Sequence, residues 1–131
     1  MEMEYTLELP KKFAGDEIAE IIGEAASSIK WRYEEIPCFS VTRASQGPKI
    51  ESYGIRVHKG GVLSRIRDRH IVFQVSSNDE GYHDYPEDRI RGDGVYSALV
   101  MYGYRISMDD LARFVGSFDS IVEEKMENSL K

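Results

Sequence analysis

The chain has 131 residues, of which 41% are hydrophobic and 31% charged, and its formal net charge is -6 at pH 7. This length is typical of one domain with one core, and the composition lies far from the low-hydrophobicity, high-charge range in which chains stay unfolded. The acidic balance argues against a protein whose whole surface follows a nucleic-acid backbone, because such binding needs concentrated Lys and Arg. We therefore predict a single folded domain over residues 1–131.

The first predicted elements are a strand and a helix. Alternating apolar residues from Met3 to Leu9 have the two-residue period of a strand with one buried face, and Pro10 is expected to end it. Asp16 is expected to cap a helix with an apolar stripe that packs on a sheet. The residues of this stripe are Ile18, Ile21, Ile22, Ala25, Ala26 and Ile29.

Four strands are predicted next, and the connections between them have hairpin length. Their predicted bounds are Ile36 to Thr42, Ile50 to His58, Val62 to Arg67 and His70 to Ser76. The three connections contain the turn sequences Gln46-Gly47-Pro48, Lys59-Gly60-Gly61 and Asp68-Arg69. An antiparallel meander is therefore expected.

An acidic segment at residues 78–94 interrupts this pattern. Its acidic residues are Asp79, Glu80, Asp84, Glu87, Asp88 and Asp93. A loop longer than about 12 to 15 residues in a compact domain is usually functional or disordered, and the residues do not decide between the two. Carboxylates can bind a hard cation, but the spacing does not match the twelve-residue calcium loop, and His83 has no partner of known position. We predict neither a metal site nor a cofactor.

The last two predicted elements are a central strand and a long helix. Val95 to Ile106 carries apolar groups on both faces, as in a strand covered on both sides. Ser107 is expected to begin the helix with Asp110 as a capping-box partner. The apolar stripe of this helix comprises Leu111, Phe114, Val115, Phe118, Ile121, Val122 and Met126.

A basic segment is the first candidate binding surface. Its residues are Arg56, His58, Lys59, Arg65, Arg67, Arg69 and His70. Arg56 and His58 are spaced to leave one face of a strand, as are Arg65 and Arg67 on the next, which would form a ledge for phosphate, carboxylate or an acidic protein surface. Alternatively, these charges protect a sheet edge from aggregation and offset the acidic loop.

Tyrosines form the second candidate surface. Tyr96, Tyr102 and Tyr104 would project from one side of their strand and, with Arg56, line a ligand cavity beneath the final helix. The alternative is a tyrosine-rich core. Nucleic acid is a further alternative partner for the basic hairpins, but the chain lacks the aromatic sheet motif and the Gly-x-x-Gly clamp of common RNA-binding modules.

The sequence contains no recognisable catalytic constellation. Cys38 lies at no diagnostic offset from a histidine, and the acidic pairs are adjacent along the backbone, where they form solvated corners more often than acid-base pairs. The single cysteine cannot form an internal disulfide, and no basic-then-apolar leader precedes Tyr5, so we expect a cytoplasmic protein. The longest apolar run, Val95 to Tyr104, is about half of a membrane span, so no membrane partner is expected.

These observations predict an α+β two-layer sandwich, with two helices on one face of an antiparallel sheet. At the level of topology this order resembles the helix-grip architecture of small ligand-binding domains, in which a curved sheet surrounds the C-terminal helix. The predicted function is a non-catalytic binding module that engages a protein or small-molecule partner. A hydrophobic-ligand pocket protein or small enzyme of helix-grip type is the alternative, and the other sheet face could serve a homodimer.

Overall fold

The computed structural model describes residues 2–40, 49–76, 89–91 and 94–129. The elements in chain order are β1 (Glu2–Ala14), α1 (Gly15–Ser28), β2 (Arg32–Ser40), β3 (Lys49–His58), α2 (Val62–Ile66), β4 (His70–Ser76), β5 (Arg89–Arg91), β6 (Val95–Tyr104) and α3 (Met108–Ser129). The sheet has the strand order β1-β6-β4-β3-β2, its pairings are antiparallel, and β5 pairs with β3. The predicted α+β class with an antiparallel sheet is therefore confirmed.

One face of the sheet is buried beneath α1 and α3. Its most deeply buried residues alternate along three strands and are Ile55, Val57, Ile71, Phe73, Leu99 and Met101. Both predicted helix stripes are confirmed, since Ile18 to Ala26 of α1 and Leu111 to Val122 of α3 supply residues of the same core. Each fully buried side chain of this size contributes roughly 1.5 to 3 kcal/mol of transfer free energy.

Phe114 is at the centre of an aromatic cluster between the sheet and α3. Its ring centroid lies 6.2 Å from that of Trp31, 5.4 Å from that of Phe73 and 6.3 Å from that of Phe118. Tilted and offset rings at these separations are favourable beyond their area burial. The aromatic rings therefore pack together in the core between the sheet and α3.

Two predictions about the ends of elements are wrong at the first strand and helix. β1 continues through Pro10 to Ala14, with a break in its pairing to β6 between Glu8 and Phe13. Proline is tolerated because β1 is an edge strand, where its missing N–H removes no necessary ladder bond. Asp16 lies in the first turn of α1 instead of capping it, since the N-cap position is Ala14 and carries no side-chain cap bond.

The segment predicted as a strand from Val62 to Arg67 is a short helix, α2. Gly61, at φ 102°, turns the chain out of β3, and the helical bonds run from Arg65 N to the carbonyl of Gly61 and from Arg67 N to the carbonyl of Leu63. A segment of five residues that mixes apolar and polar side chains fits the helical period and the strand period equally well. The turn of the backbone at Gly61 therefore decides which of the two forms. β3 and β4 still pair as an extended hairpin on either side of α2.

Other differences concern element bounds. β2 begins at Arg32 rather than Ile36, and β5 lies inside the segment predicted as a loop. β6 lies between β1 and β4, so its predicted central position is confirmed.

The acidic residues of 78–94 fall outside the described residues, and so does the prediction about their role. Among the helices in the described ranges, none has the length and apolar character to cross a bilayer.

Candidate functional site

A pocket of about 320 Å³ opens where the turn between α1 and β2 meets the turn between β3 and α2. We call it the cationic pocket. Its lining residues are Lys30, Arg32, His58, Lys59, Gly60, Gly61, Val62, Ser64, Arg65 and Asp68. Four of them are formally positive and one is formally negative, which contrasts with the net charge of -6 for the chain.

The end of α1 places one wall of the cationic pocket. Lys30 has a left-handed backbone, with φ 62°, and its N–H donates to the carbonyl of Ser27. The N–H of Trp31 donates to the carbonyl of Ala26 at 2.8 Å. These two bonds form the Schellman motif, which ends a helix by satisfying its last carbonyls. Trp31 then enters the core, and its neighbours Lys30 and Arg32 line the pocket.

Glycine allows the second turn to approach the first. A Cβ atom on Gly60 would lie 2.6 Å from the carbonyl oxygen of Lys30 and 3.6 Å from Cδ1 of Trp31. Only a residue without a side chain fits so close to a neighbouring backbone. Gly60 therefore allows the two turns to approach closely enough to form a common wall.

Lys59 is held by an ion pair with α3. Its Nζ donates to Oδ2 of Asp110 at 2.6 Å, and Ser107, which caps α3 as predicted, donates to the same carboxylate at 3.0 Å. Burial raises the pKa of Asp110, but hydrogen bonds from Lys59 and Ser107 and the positive charges of Lys59 and Arg69 outweigh burial and hold that pKa below its usual value. Asp110 thus offsets part of the charge that Lys59 brings to the pocket.

The sheet face opposite the helices carries a second group of polar residues beside the pocket. His58 pairs with His70 across β3 and β4, and His70 pairs with Tyr104 on β6. The ring of Tyr104 stacks on that of His70 at 5.0 Å between centroids. Nε2 of His58 lies 3.3 Å from Oε1 of Glu34 on β2. Side chains from four strands therefore meet in one row.

The structure separates the residues of the predicted tyrosine surface. Tyr96 belongs to the buried core. Tyr102, Tyr104 and Arg56 occupy the alternate positions that face away from α3, and the hydroxyl of Tyr102 donates to Oε1 of Gln74 at 2.8 Å. These residues do not come together with Tyr96 in a cavity beneath the final helix, because they lie on the sheet face opposite α3 whereas Tyr96 is in the core.

The predicted basic ledge is also divided. His58, Lys59 and Arg65 line the cationic pocket, whereas Arg56, Arg67 and Arg69 are not among its lining residues. The pairing predicted for Arg65 and Arg67 on one strand face is wrong, because these residues belong to α2 and to the turn that ends it.

Sequence reasoning missed Lys30, Arg32, Ser64 and Asp68 as lining residues. Lys30 and Arg32 lie almost thirty positions before the rest of the pocket, and no local pattern links the two segments. The available signal was the end of the α1 stripe at Ile29, because a helix that ends there must turn its next residues toward another element.

Helix α2 exposes its apolar residues beside the pocket. Val62, Leu63 and Ile66 are 77%, 69% and 74% exposed, whereas Ser64 is 5% exposed. This orientation is the reverse of that expected for a helix packed on its own core. The apolar surface adjoins the basic side chains of Arg65 and Arg67.

Comparison with protein-family models, with curated proteins and with solved structures found no match to this chain.

Proposed function

We propose that this protein is a non-catalytic, cytoplasmic binding module whose cationic pocket holds an anionic group of a small ligand, either a phosphate or a carboxylate. The observation that carries the proposal is the placement of four formally positive side chains around one pocket of a chain whose net charge is -6. Those side chains are Lys30, Arg32, Lys59 and Arg65. The volume, about 320 Å³, lies at the small end of the range for ligand sites.

The side-chain types in the pocket suit such a group. An arginine guanidinium presents a planar fork of donors that matches the oxygens of phosphate or carboxylate, and a lysine ammonium adds a mobile point charge. Partial enclosure also strengthens these interactions, because the effective dielectric constant in a recess is lower than in bulk water. Lys30 and Arg32 from one turn and Arg65 from α2 can therefore surround one anion, whereas Lys59 shares its charge with Asp110.

The lining also supports binding without chemistry. Ser64 carries the one hydroxyl among the lining residues that the structure describes, and it is 5% exposed. A nucleophile needs access to its substrate and a base within hydrogen-bond reach. Ser64 is therefore a poor candidate for a nucleophile, and the proposal assigns the pocket to recognition.

Charge reversal with a matched control tests this proposal. Arg65→Glu and Arg113→Glu each alter one exposed arginine and shift the net charge from -6 to -8, but only Arg65 lines the pocket. Binding of inorganic phosphate and of citrate would be followed by ¹H–¹⁵N NMR at fixed low salt. We expect Arg65→Glu to raise the dissociation constant by at least about tenfold, which corresponds to 1.4 kcal/mol, and Arg113→Glu to change it less than about twofold.

Equal weakening by the two reversals would mean that phosphate responds to overall charge, and the pocket assignment would then fail. Wild-type affinity for phosphate in a double variant that carries Arg65→Glu and Lys30→Glu would also exclude the pocket as the binding site. Circular dichroism of each variant confirms that the fold is intact. Raising the salt concentration should weaken binding of both anions, since exposed charges are screened.

A second candidate is a protein partner with an acidic, partly apolar segment. The observation in its favour is the exposed apolar surface of Val62, Leu63 and Ile66 next to the basic pocket. Leu63→Ser should weaken the binding of a synthetic peptide with alternating Glu and Leu, and it should leave phosphate binding unchanged. A hydrophobic-ligand pocket of helix-grip type has less support, because Phe73, Phe114 and Phe118 are fully buried and pack against one another beneath α3.

A further inference from the structure

Three side chains that can ligate a metal ion converge at the α2 end of the β3–β4 pair. One ligand atom from each of His58, Asp68 and His70 lies within 4.8 Å of the other two. The histidines are directly opposite each other on antiparallel strands, where Cβ atoms are about 4.5 to 5.5 Å apart. Asp68 comes from the turn after α2, at a left-handed backbone position with φ 52°, two residues before His70.

Both imidazoles have the outer contacts that metal-ligating histidines usually have. Nδ1 of His70 lies 2.8 Å from the carbonyl oxygen of Asp68, and Nε2 of His58 lies 3.3 Å from Oε1 of Glu34. Oδ1 of Asp68 lies 3.3 Å from the same Nδ1 of His70, so this carboxylate must rotate toward Nε2 to share a metal with the ring. A neutral ring that donates one N–H to such an oxygen carries its lone pair on the other nitrogen. Carbonyl and carboxylate partners of this kind fix the tautomer and the orientation of the ring toward a metal.

Packing further restrains the pair. The ring of Tyr104 stacks on His70 with 17° between the planes, and the centroids of His58 and His70 are 5.7 Å apart. In a tetrahedral zinc site, with bonds of about 2.1 Å, ligand atoms are about 3.4 Å from each other. The ligand atoms would therefore approach one another by up to about 1.4 Å. The Asp68 side chain, which is 63% exposed, can rotate to supply much of this movement.

We propose that His58, His70 and Asp68 bind a divalent transition-metal ion of the zinc type. Two imidazoles and one carboxylate suit Zn²⁺, Co²⁺, Ni²⁺ or Cu²⁺, whereas Mg²⁺ and Ca²⁺ prefer sites made entirely of oxygen. The carboxylates of Asp68 and Glu34 counter the positive charges nearby, and Lys59 is already paired with Asp110.

The site would give the cationic pocket a further way to hold an anion. His58 and Asp68 both line that pocket. Three protein ligands leave a fourth tetrahedral position for water or an exogenous oxygen, as in zinc sites that bind small molecules. The metal site does not depend on the proposed anion binding, because its three ligands are sufficient to be tested with the metal alone.

Titration of the metal-free protein with Co²⁺, followed by visible absorption, tests the site directly. We expect one Co²⁺ per chain and displacement by Zn²⁺, but not by Mg²⁺ or Ca²⁺. His58→Gln and His70→Gln should each weaken binding at least about 100-fold, and Glu34→Gln should weaken it about tenfold, in the range measured for outer partners of metal ligands. His83→Gln removes the other histidine of the chain and should leave the affinity unchanged.

If His70→Gln fails to fold, Asp68→Asn provides a second test of the site. The Asp68 side chain is exposed, so this substitution does not disturb the core. Wild-type affinity in both His58→Gln and Asp68→Asn would overturn the proposal, as would loss of binding in His83→Gln alone. Failure of Co²⁺ and Zn²⁺ to bind at millimolar concentration would overturn it as well. Phosphate titration of protein from which metal has been stripped and the chelator then removed tests the anion site separately, so each proposal can fail without the other.

Discussion

Replacement of Gly60 by alanine should destabilise the protein and alter the cationic pocket. The new Cβ would lie 2.6 Å from the carbonyl oxygen of Lys30, which is 0.4 Å inside the 3.0 Å limit that real Cβ contacts essentially never cross. The obstacle is backbone in the Schellman turn, so the two turns must move apart rather than one side chain rotate. Overpacking of this kind costs about 1 to 3 kcal/mol, and separation of the turns should also weaken phosphate binding.

Gly116→Ala is the matched control for this prediction. Gly116 is exposed on α3, and a Cβ there meets nothing within 4 Å. Alanine is favoured over glycine in a helix by about 0.8 to 1 kcal/mol, so this variant should gain stability. Urea unfolding monitored by circular dichroism measures both, with a common slope as the check on two-state behaviour. Wild-type stability in Gly60→Ala would refute the close approach of the two turns.

Three other predictions concern Asp110, Phe114 and Leu63. The lowered pKa of Asp110 means that its ionised form stabilises the fold fully above its unfolded value of 3.8, and that this contribution disappears as pH falls through the lower folded value. The unfolding free energy of Asp110→Asn should therefore lie up to about 1 kcal/mol below wild type at pH 7, because solvent screens this partly exposed ion pair. The difference should vanish in acid, and a gap that persists unchanged below pH 3 would contradict this sign. Phe114→Ala removes the ring that contacts three aromatic partners and should cost about 3 to 5 kcal/mol in urea unfolding. Leu63→Ser changes a largely exposed residue and should alter stability by less than about 0.5 kcal/mol; a larger loss would show that α2 packs against the protein itself.

Apolar periodicity was sufficient to predict the two long helices. The stripes of α1 and α3 recur at three- and four-residue steps over several turns, and this period is incompatible with a strand. The Ser107 cap of α3 was also predictable, because serine at that position satisfies an orphan N–H locally. Such features depend on residues that are close in the chain.

Short segments were less predictable because their patterns admit more than one backbone. Val62 to Ile66 forms a helical turn although its alternation also suits a strand, and β1 continues past Pro10 because it is at the sheet edge. Edge position and turn geometry are properties of the assembled sheet. A stretch of five or six residues therefore does not indicate where its strand lies in the sheet or how the chain turns beside it.

The amino-acid sequence by itself determined the α+β class, the antiparallel sheet, the helix stripes and the presence of a basic segment, because each depends on local periodicity or composition. Only the tertiary structure decided which charges share a site. It brought Lys30 and Arg32 to Arg65 through the approach of two turns, and it placed His58 opposite His70 through strand register. Pairing and close approach join residues distant in the chain, so no local pattern contains this information.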